Sequence, residues 1–127
     1  MVEIFIDGAS AGNPGPSGAG IFIKENGKAE SLSFPLGTME NHEAEFCAFI
    51  KALEICIERK YTVVSFKTDS DLLVRSVENE FVKNKRYMPF LDKSLLLIKN
   101  IELFFIKWVP RKENKADGLA RKAIQNN

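Results

Sequence analysis

The hydrophobic pattern changes from strand to helical period near residue 40, and that change confines the chain to a narrow set of folds. Before it, residues 2–6, 19–24 and 28–36 read as β-rich runs. Asn26-Gly27, between the second and third runs, is the strongest short-range hairpin signal a sequence can carry. The first three strands are therefore expected as an antiparallel meander. After the change, Phe46, Phe49, Ile50, Leu53, Cys56 and Ile57 recur at helical spacing, with Lys51, Glu54 and Glu58 on the far side. Asn41 stands where an N-cap belongs. A strand over residues 62–68 follows, then helices over 70–82 and 89–100. Residues 103–109 form an apolar strand that Pro110 stops. A helix over 112–125 closes the chain, its inner stripe Ala116, Leu119, Ala120 and Ala123. Strands separated by helices pair in parallel. The expected class is thus α/β: a five-stranded mixed sheet, three strands antiparallel then two parallel, flanked by helices.

At 127 residues the whole chain, 1–127, is expected as a single domain, large enough to bury a core without disulfides. Its two cysteines, Cys47 and Cys56, fall in one predicted helix, roughly 13 Å apart along the axis. That is too far for a disulfide within the chain, so reduced thiols and a cytoplasmic location are expected. The first residues carry acids instead of a basic, then apolar, leader, and no run approaches the ~20 apolar residues of a membrane-spanning helix. No membrane partner is expected.

The net charge of +1 draws no polyanion from a distance. Locally, six basic residues lie between Lys107 and Lys122 against two acids, and Lys83, Lys85 and Arg86 are interleaved with Phe81, Tyr87 and Phe90. On charge alone both clusters read as solvated helix faces.

Four acids stand out by position. Asp7 and Asp69 follow predicted strands, at the edge where open α/β sheets place ligands. Glu45 lies in the first turn of the long helix, within its apolar arc near Ala52 and Cys56, so it is expected to face the sheet. Asp117 is expected in the first turns of the last helix, beside Ala116 and Ala120. Singly, each has an ordinary explanation: a turn at Asp7-Gly8, a cap at Asp69, a helix-dipole partner at Glu45 or Asp117. Jointly, carboxylates crowded on one side of a sheet repel one another unless a divalent cation neutralises them. With no His or Cys among them, the donors are all oxygen, which suits Mg²⁺ or Mn²⁺ and argues against zinc. Two such ions have a natural chemistry in in-line phosphoryl displacement.

Four blocks of residues then carry a resemblance. Ile4-Phe-Ile-Asp7-Gly-Ala-Ser-Ala-Gly-Asn13-Pro-Gly15, Asn41-His-Glu-Ala-Glu45-Phe, Thr68-Asp69-Ser70 and Trp108-Val-Pro-Arg-Lys-Glu-Asn114-Lys-Ala-Asp117-Gly-Leu-Ala120 occur in the order seen in the ribonuclease HI family. The chain resembles the small bacterial ribonuclease HI-like, or reverse-transcriptase-like, members most. The resemblance implies an Asp-Glu-Asp-Asp site for two Mg²⁺ (or Mn²⁺), matched by Asp7, Glu45, Asp69 and Asp117. It implies endonucleolytic cutting of the RNA strand of an RNA–DNA hybrid, and a monomer is the expected state, which the residues themselves do not determine. Gly12, Asn13, Pro14 and Gly15 match the turn that approaches the hybrid's minor groove, where 2′-hydroxyls mark the RNA strand. Asn41 and His42 match nucleotide-binding positions. The stretch is not a P-loop, and Gly18-Ala-Gly20 is not a dinucleotide fingerprint.

The chain departs from the family pattern in four ways. Glu40 replaces a hydroxyl that helps hold a DNA phosphate, and a carboxylate there is expected to repel it. The mobile His before the last Asp is missing, leaving Arg111 or Lys112 in its neighbourhood. The segment from Asn114 to Asp117 is one residue short. Lys83, Lys85 and Arg86 are all that remains of a basic protrusion. These departures set an alternative beside the nuclease: a catalytically silent nucleic-acid-binding protein on the same fold. A nuclease acting on DNA is a third reading, against which the Gly12–Gly15 turn and Asn41 speak.

Overall fold

The computed structural model describes residues 1–125. Three strands open the chain, β1 (Val2–Ser10), β2 (Gly15–Glu25) and β3 (Lys28–Met39), and α1 (Asn41–Glu58) follows. The remainder runs β4 (Val63–Thr68), α2 (Asp71–Asn79), α3 (Met88–Ile98), β5 (Leu103–Trp108) and α4 (Leu119–Ile124). Short 3-10 turns at Lys85–Tyr87 and Arg111–Glu113 precede α3 and α4. The strands form one sheet in the order β3-β2-β1-β4-β5. β1 pairs antiparallel with β2 and parallel with β4, and β5 continues parallel from β4. The mixed five-stranded sheet matches the expected class, and Asn26 and Gly27 turn the β2–β3 hairpin, both with positive φ.

The core lies between α1 and one face of the sheet. Ile4, Ile6, Ile21, Val64 and Phe66 meet Phe46, Phe49 and Leu53, all nearly inaccessible to solvent. Phe49 packs edge-on against Phe66 with ring centroids 5.1 Å apart. α4 closes part of the other face, and its approach to β2 depends on two glycines. A Cβ on Gly18 would sit 2.3 Å from the Ala120 carbonyl oxygen, and one on Gly20 2.6 Å from Leu119 Cβ.

Several expected boundaries are corrected. β1 runs past Asp7 and stays paired with β2 to Ser10, opposite Ser17, while its ladder with β4 ends at Ile6 opposite Thr68. Asp7 therefore stands where β4 parts from β1, inside a strand instead of after one. β2 begins at Gly15, so the turn is confined to Ala11, Gly12, Asn13 and Pro14, with Gly15 buried and the Asn13–Pro14 bond cis. α1 is capped by Glu40, not Asn41: the Glu40 carboxylate accepts from the Glu43 N–H at 2.8 Å, and Glu43 returns the bond at 3.0 Å. The long closing helix is replaced by a 3-10 turn, a loop and six helical residues, because Gly118 at φ 93° cannot lie inside a helix. Ala116 and Asp117 thus lie in the loop.

Candidate active site

Sheet register brings the first two acids together. Ile6 pairs with Thr68 across β1 and β4, so Asp7 and Asp69, each one residue further, emerge side by side. Gly8 brings the third. A Cβ there would lie 2.4 Å from the Ala44 carbonyl carbon and 2.5 Å from the Glu45 nitrogen. Only a residue without a side chain lets the first turn of α1 press onto β1, and that contact sets Glu45 beside Asp7. The fourth acid comes through a side chain. Buried Asn114 donates from Nδ2 to the Ile6 carbonyl at 2.9 Å, and its Oδ1 accepts from the Ala116 N–H at 3.0 Å. The Asp117 N–H closes the loop on the Asn114 carbonyl at 3.0 Å. Asn114 thereby ties the loop carrying Asp117 to the strand carrying Asp7.

The electrostatics show how closely the acids are gathered. Asp7 is 7% exposed, and its carboxyl is pushed up to about 7 by burial first, then by repulsion from Asp69, Asp117 and Glu45. Burial also raises Glu45, opposed by His42 and Ser70, with Asp69 adding to the rise. Asp69 Oδ2 is buried without a hydrogen-bond partner, and Arg111 Nε is 3.8 Å away, past hydrogen-bond reach. Glu45 Oε1 lies 2.9 Å from His42 Nδ1, and Arg121 Nη1 donates to Asp117 Oδ1 at 3.2 Å. Among the described residues no three His, Cys, Asp or Glu side chains converge tightly enough to hold an ion as they stand. The four acids therefore share one field without forming a closed cage.

An open groove of about 430 Å³ runs past Asp7 and is lined by Ser10, Asn41, Arg111 and Arg121. The glycine turn borders it. Asn13 Oδ1 accepts from the Asn41 N–H at 3.4 Å, and the Ser10 and Ser17 hydroxyls donate to the Met39 carbonyl at 2.9 and 3.1 Å. These bonds tie the turn to the end of β3 and the start of α1. Lys85 and Arg86 stand exposed on the 3-10 turn before α3, joined to this end of the molecule by Tyr87, whose ring meets His42 at 5.8 Å.

Three expectations change here. Glu40 does not point at a phosphate: it is buried, caps α1 and accepts from the Tyr87 hydroxyl, holding that phenol up at about 12 after the larger effect of burial. Lys112 lines a different groove, with Lys107 and Lys115, and is not among the residues lining the groove beside Asp7. Arg121, which charge alone assigned to a solvated face, reaches the site. Its place four residues after Asp117 was the available signal.

Comparison with known proteins agrees with this geometry. The family model described as reverse transcriptase-like matches residues 5–123. A candidate hydrolase of Enterococcus faecalis, EbsB, is 41% identical over 98% of this chain and 95% of its own length. The ribonuclease H of Legionella pneumophila (strain Corby) is 34% identical over 81% of this chain and 70% of its own. Among solved structures, LC11 ribonuclease H1 in complex with an RNA/DNA hybrid shares 28% identity and a TM-score of 0.90, over 99% of this chain and 98% of that one. The strand order and these matches make the chain a member of the ribonuclease H family of hydrolases, in its reverse transcriptase-like branch.

Proposed function

We propose that this protein is a divalent-metal-dependent endonuclease that hydrolyses the RNA strand of RNA–DNA hybrids, working as a monomer in the cytoplasm. One observation carries the reading: a buried carboxylate, Asp7, sits among three others, beside an Asp69 oxygen that no hydrogen bond satisfies. Such a group of like charges fits hard cations with oxygen preference, and Asp7, Glu45, Asp69 and Asp117 are the residues that would hold two Mg²⁺ or Mn²⁺. Bound there, the ions would activate a water and neutralise charge developing on the phosphodiester. The chain itself positions the substrate. Arg111 and Arg121 supply cations in the groove beside Asp7, and the Asn13–Asn41 pair offers amides at its rim. His42 holds one Glu45 oxygen and so orients that carboxylate. The hybrid bound to LC11 ribonuclease H1 supports the choice of substrate.

Labelled RNA–DNA hybrid, duplex RNA and duplex DNA test the proposal. Cutting of the RNA strand of the hybrid alone is expected with Mg²⁺ or Mn²⁺. No cutting with either metal at enzyme equal to substrate overturns it. A second reading, hybrid binding without turnover, is favoured by the partners that His42, Arg111 and Arg121 already give three of the acids. Binding that persists in both metals with the hybrid left intact would select it.

A further inference from the structure

Parallel strands are as a rule covered on both faces, because their connections pass over them. In this molecule α4 packs on β2, β3 and β1, and among the described residues no helix packs to a comparable extent on the outer faces of β4 and β5. Alternation leaves Ser65, Lys67, Phe105 and Lys107 on that outer side, with Phe105 half exposed. Register lines up Phe5, Lys67 and Lys107 in one row across three strands.

A groove of about 470 Å³ lies over this row, lined by Phe5, Lys67, Lys107, Lys112 and Lys115. Lys67 and Lys115 hold their ammonium groups 5.6 and 5.7 Å from the Phe5 ring centre. Two carboxylates border the groove: Glu3, which is bound to Lys67, and Glu113. Among the described residues no ion pair joins Lys107, Lys112 or Lys115 to any carboxylate. The groove gathers four ammonium groups, Lys67, Lys107, Lys112 and Lys115, against the carboxylates of Glu3 and Glu113, with Glu3 attracting Lys115 as well as Lys67, and that excess of positive charge favours a polyanion. The wall between this groove and the acids is the Arg111–Glu113 turn, with Arg111 on the side of Asp7 and Lys112 on the side of the lysines.

We propose that the lysine groove is a second nucleic-acid site, which takes a single-stranded continuation of the substrate after it crosses the Arg111–Glu113 turn. Phosphates lie along Lys107, Lys112 and Lys115, and a base stacks on exposed Phe105. Phe105 lies outside the groove, two residues before Lys107 on the same side of β5, and a positive track with an aromatic ring beside it suits a single strand, whose bases are free to stack, better than a duplex or an acidic peptide. The inference rests on the nucleic-acid reading of the acid site.

The test is fluorescence anisotropy of a labelled single-stranded DNA 12-mer with the full chain in EDTA, across a salt series. Wild-type affinity is expected to fall linearly on a log–log salt plot. In K107E/K115E it should drop at least tenfold, with the slope reduced by about 1.4 for two lost phosphate contacts. K107Q/K115Q should fall between, and K28E/K99E, which changes net charge equally, should bind as wild type. Unchanged binding by K107E/K115E overturns the proposal. So does an equal loss in K28E/K99E, or displacement by poly-glutamate as efficient as by unlabelled oligonucleotide at equal charge. K107E should cut a blunt hybrid at the wild-type rate. Failure of the nuclease reading would appear separately, as a wild type that cuts no hybrid while the binding arms still differ.

Discussion

Two parts of the acid cluster are held in place by different means. Asp7, Asp69 and Glu45 are positioned by main chain: a parallel register between β1 and β4, and a helix resting on Gly8. Asp117 depends on one buried amide, Asn114, and on a loop that only becomes helical after Gly118. The exposures agree with this division. The Asp69 and Glu45 side chains are 9% and 13% exposed, against 30% for Asp117. Carboxylates fixed by backbone cannot retreat from one another, so they carry the electrostatic cost, whereas a loop-borne carboxylate can turn to a neighbour such as Arg121.

The largest expected effect separates the two groups directly. Asp7→Asn should lower hybrid cleavage on the order of 10³-fold, and Asp117→Asn by about 10- to 100-fold. Equal losses would break the distinction, and full activity in Asp7→Asn would remove the site. Asp7→Asn should also stabilise the protein in EDTA. The folded-state value, about 7 against an ordinary 3.8, means the charge opposes folding increasingly as pH rises through that interval. The gain in Tm should therefore be greatest above pH 7 and vanish below pH 4, as thermal melts across pH will show.

Next in size is Asn114→Leu, which strands the Ile6 carbonyl and the Ala116 N–H. A loss of about 2–4 kcal/mol by urea unfolding is expected, with cleavage falling alongside. Stability lost without any loss of cleavage would show that Asp117 needs no such anchor. Gly8→Ala should cost about 1–3 kcal/mol, because backbone of α1 has to move away from β1. If Glu45 depends on that contact, cleavage should fall more than in a core variant of equal stability. The smallest effect lies outside the site. Lys67, through a hydrogen bond and its charge, holds Glu3 below its ordinary value of 4.5, so the pair supports the fold above that pH and its support is lost on acidification through the folded value. Glu3→Gln should flatten the acid limb of stability slightly and leave cleavage unchanged.

Much of this was legible in the residues. Period and turn signals set the strand and helix order, and Asn26-Gly27 marked the hairpin that the structure contains. Asp7, Glu45 and Asp69 are readable because each is an acid set in or directly after an apolar run, where a charged side chain is conspicuous. The sequence favours Asn41 as the cap because Asn is a preferred N-cap residue and Glu is not, whereas the reciprocal bond with Glu43 and burial against Tyr87 give that place to Glu40. The last helix was read too long since Ala116, Ala120 and Ala123 keep a helical period across Gly118. Arg121 and Lys112 could not be sorted, because charge patterning is blind to which side of a loop a side chain takes.

Local sequence, through propensity and alternation acting on neighbours, determined the order of elements, the class of sheet and the candidate acids. Tertiary structure alone decided which distant groups share a field: that Asn114 ties a C-terminal loop to β1, that Gly8 admits α1, and that one basic loop splits its side chains between two grooves. The reason is range. Propensities act over a few residues, whereas desolvation and like-charge repulsion depend on through-space distances that exist only once the chain has closed.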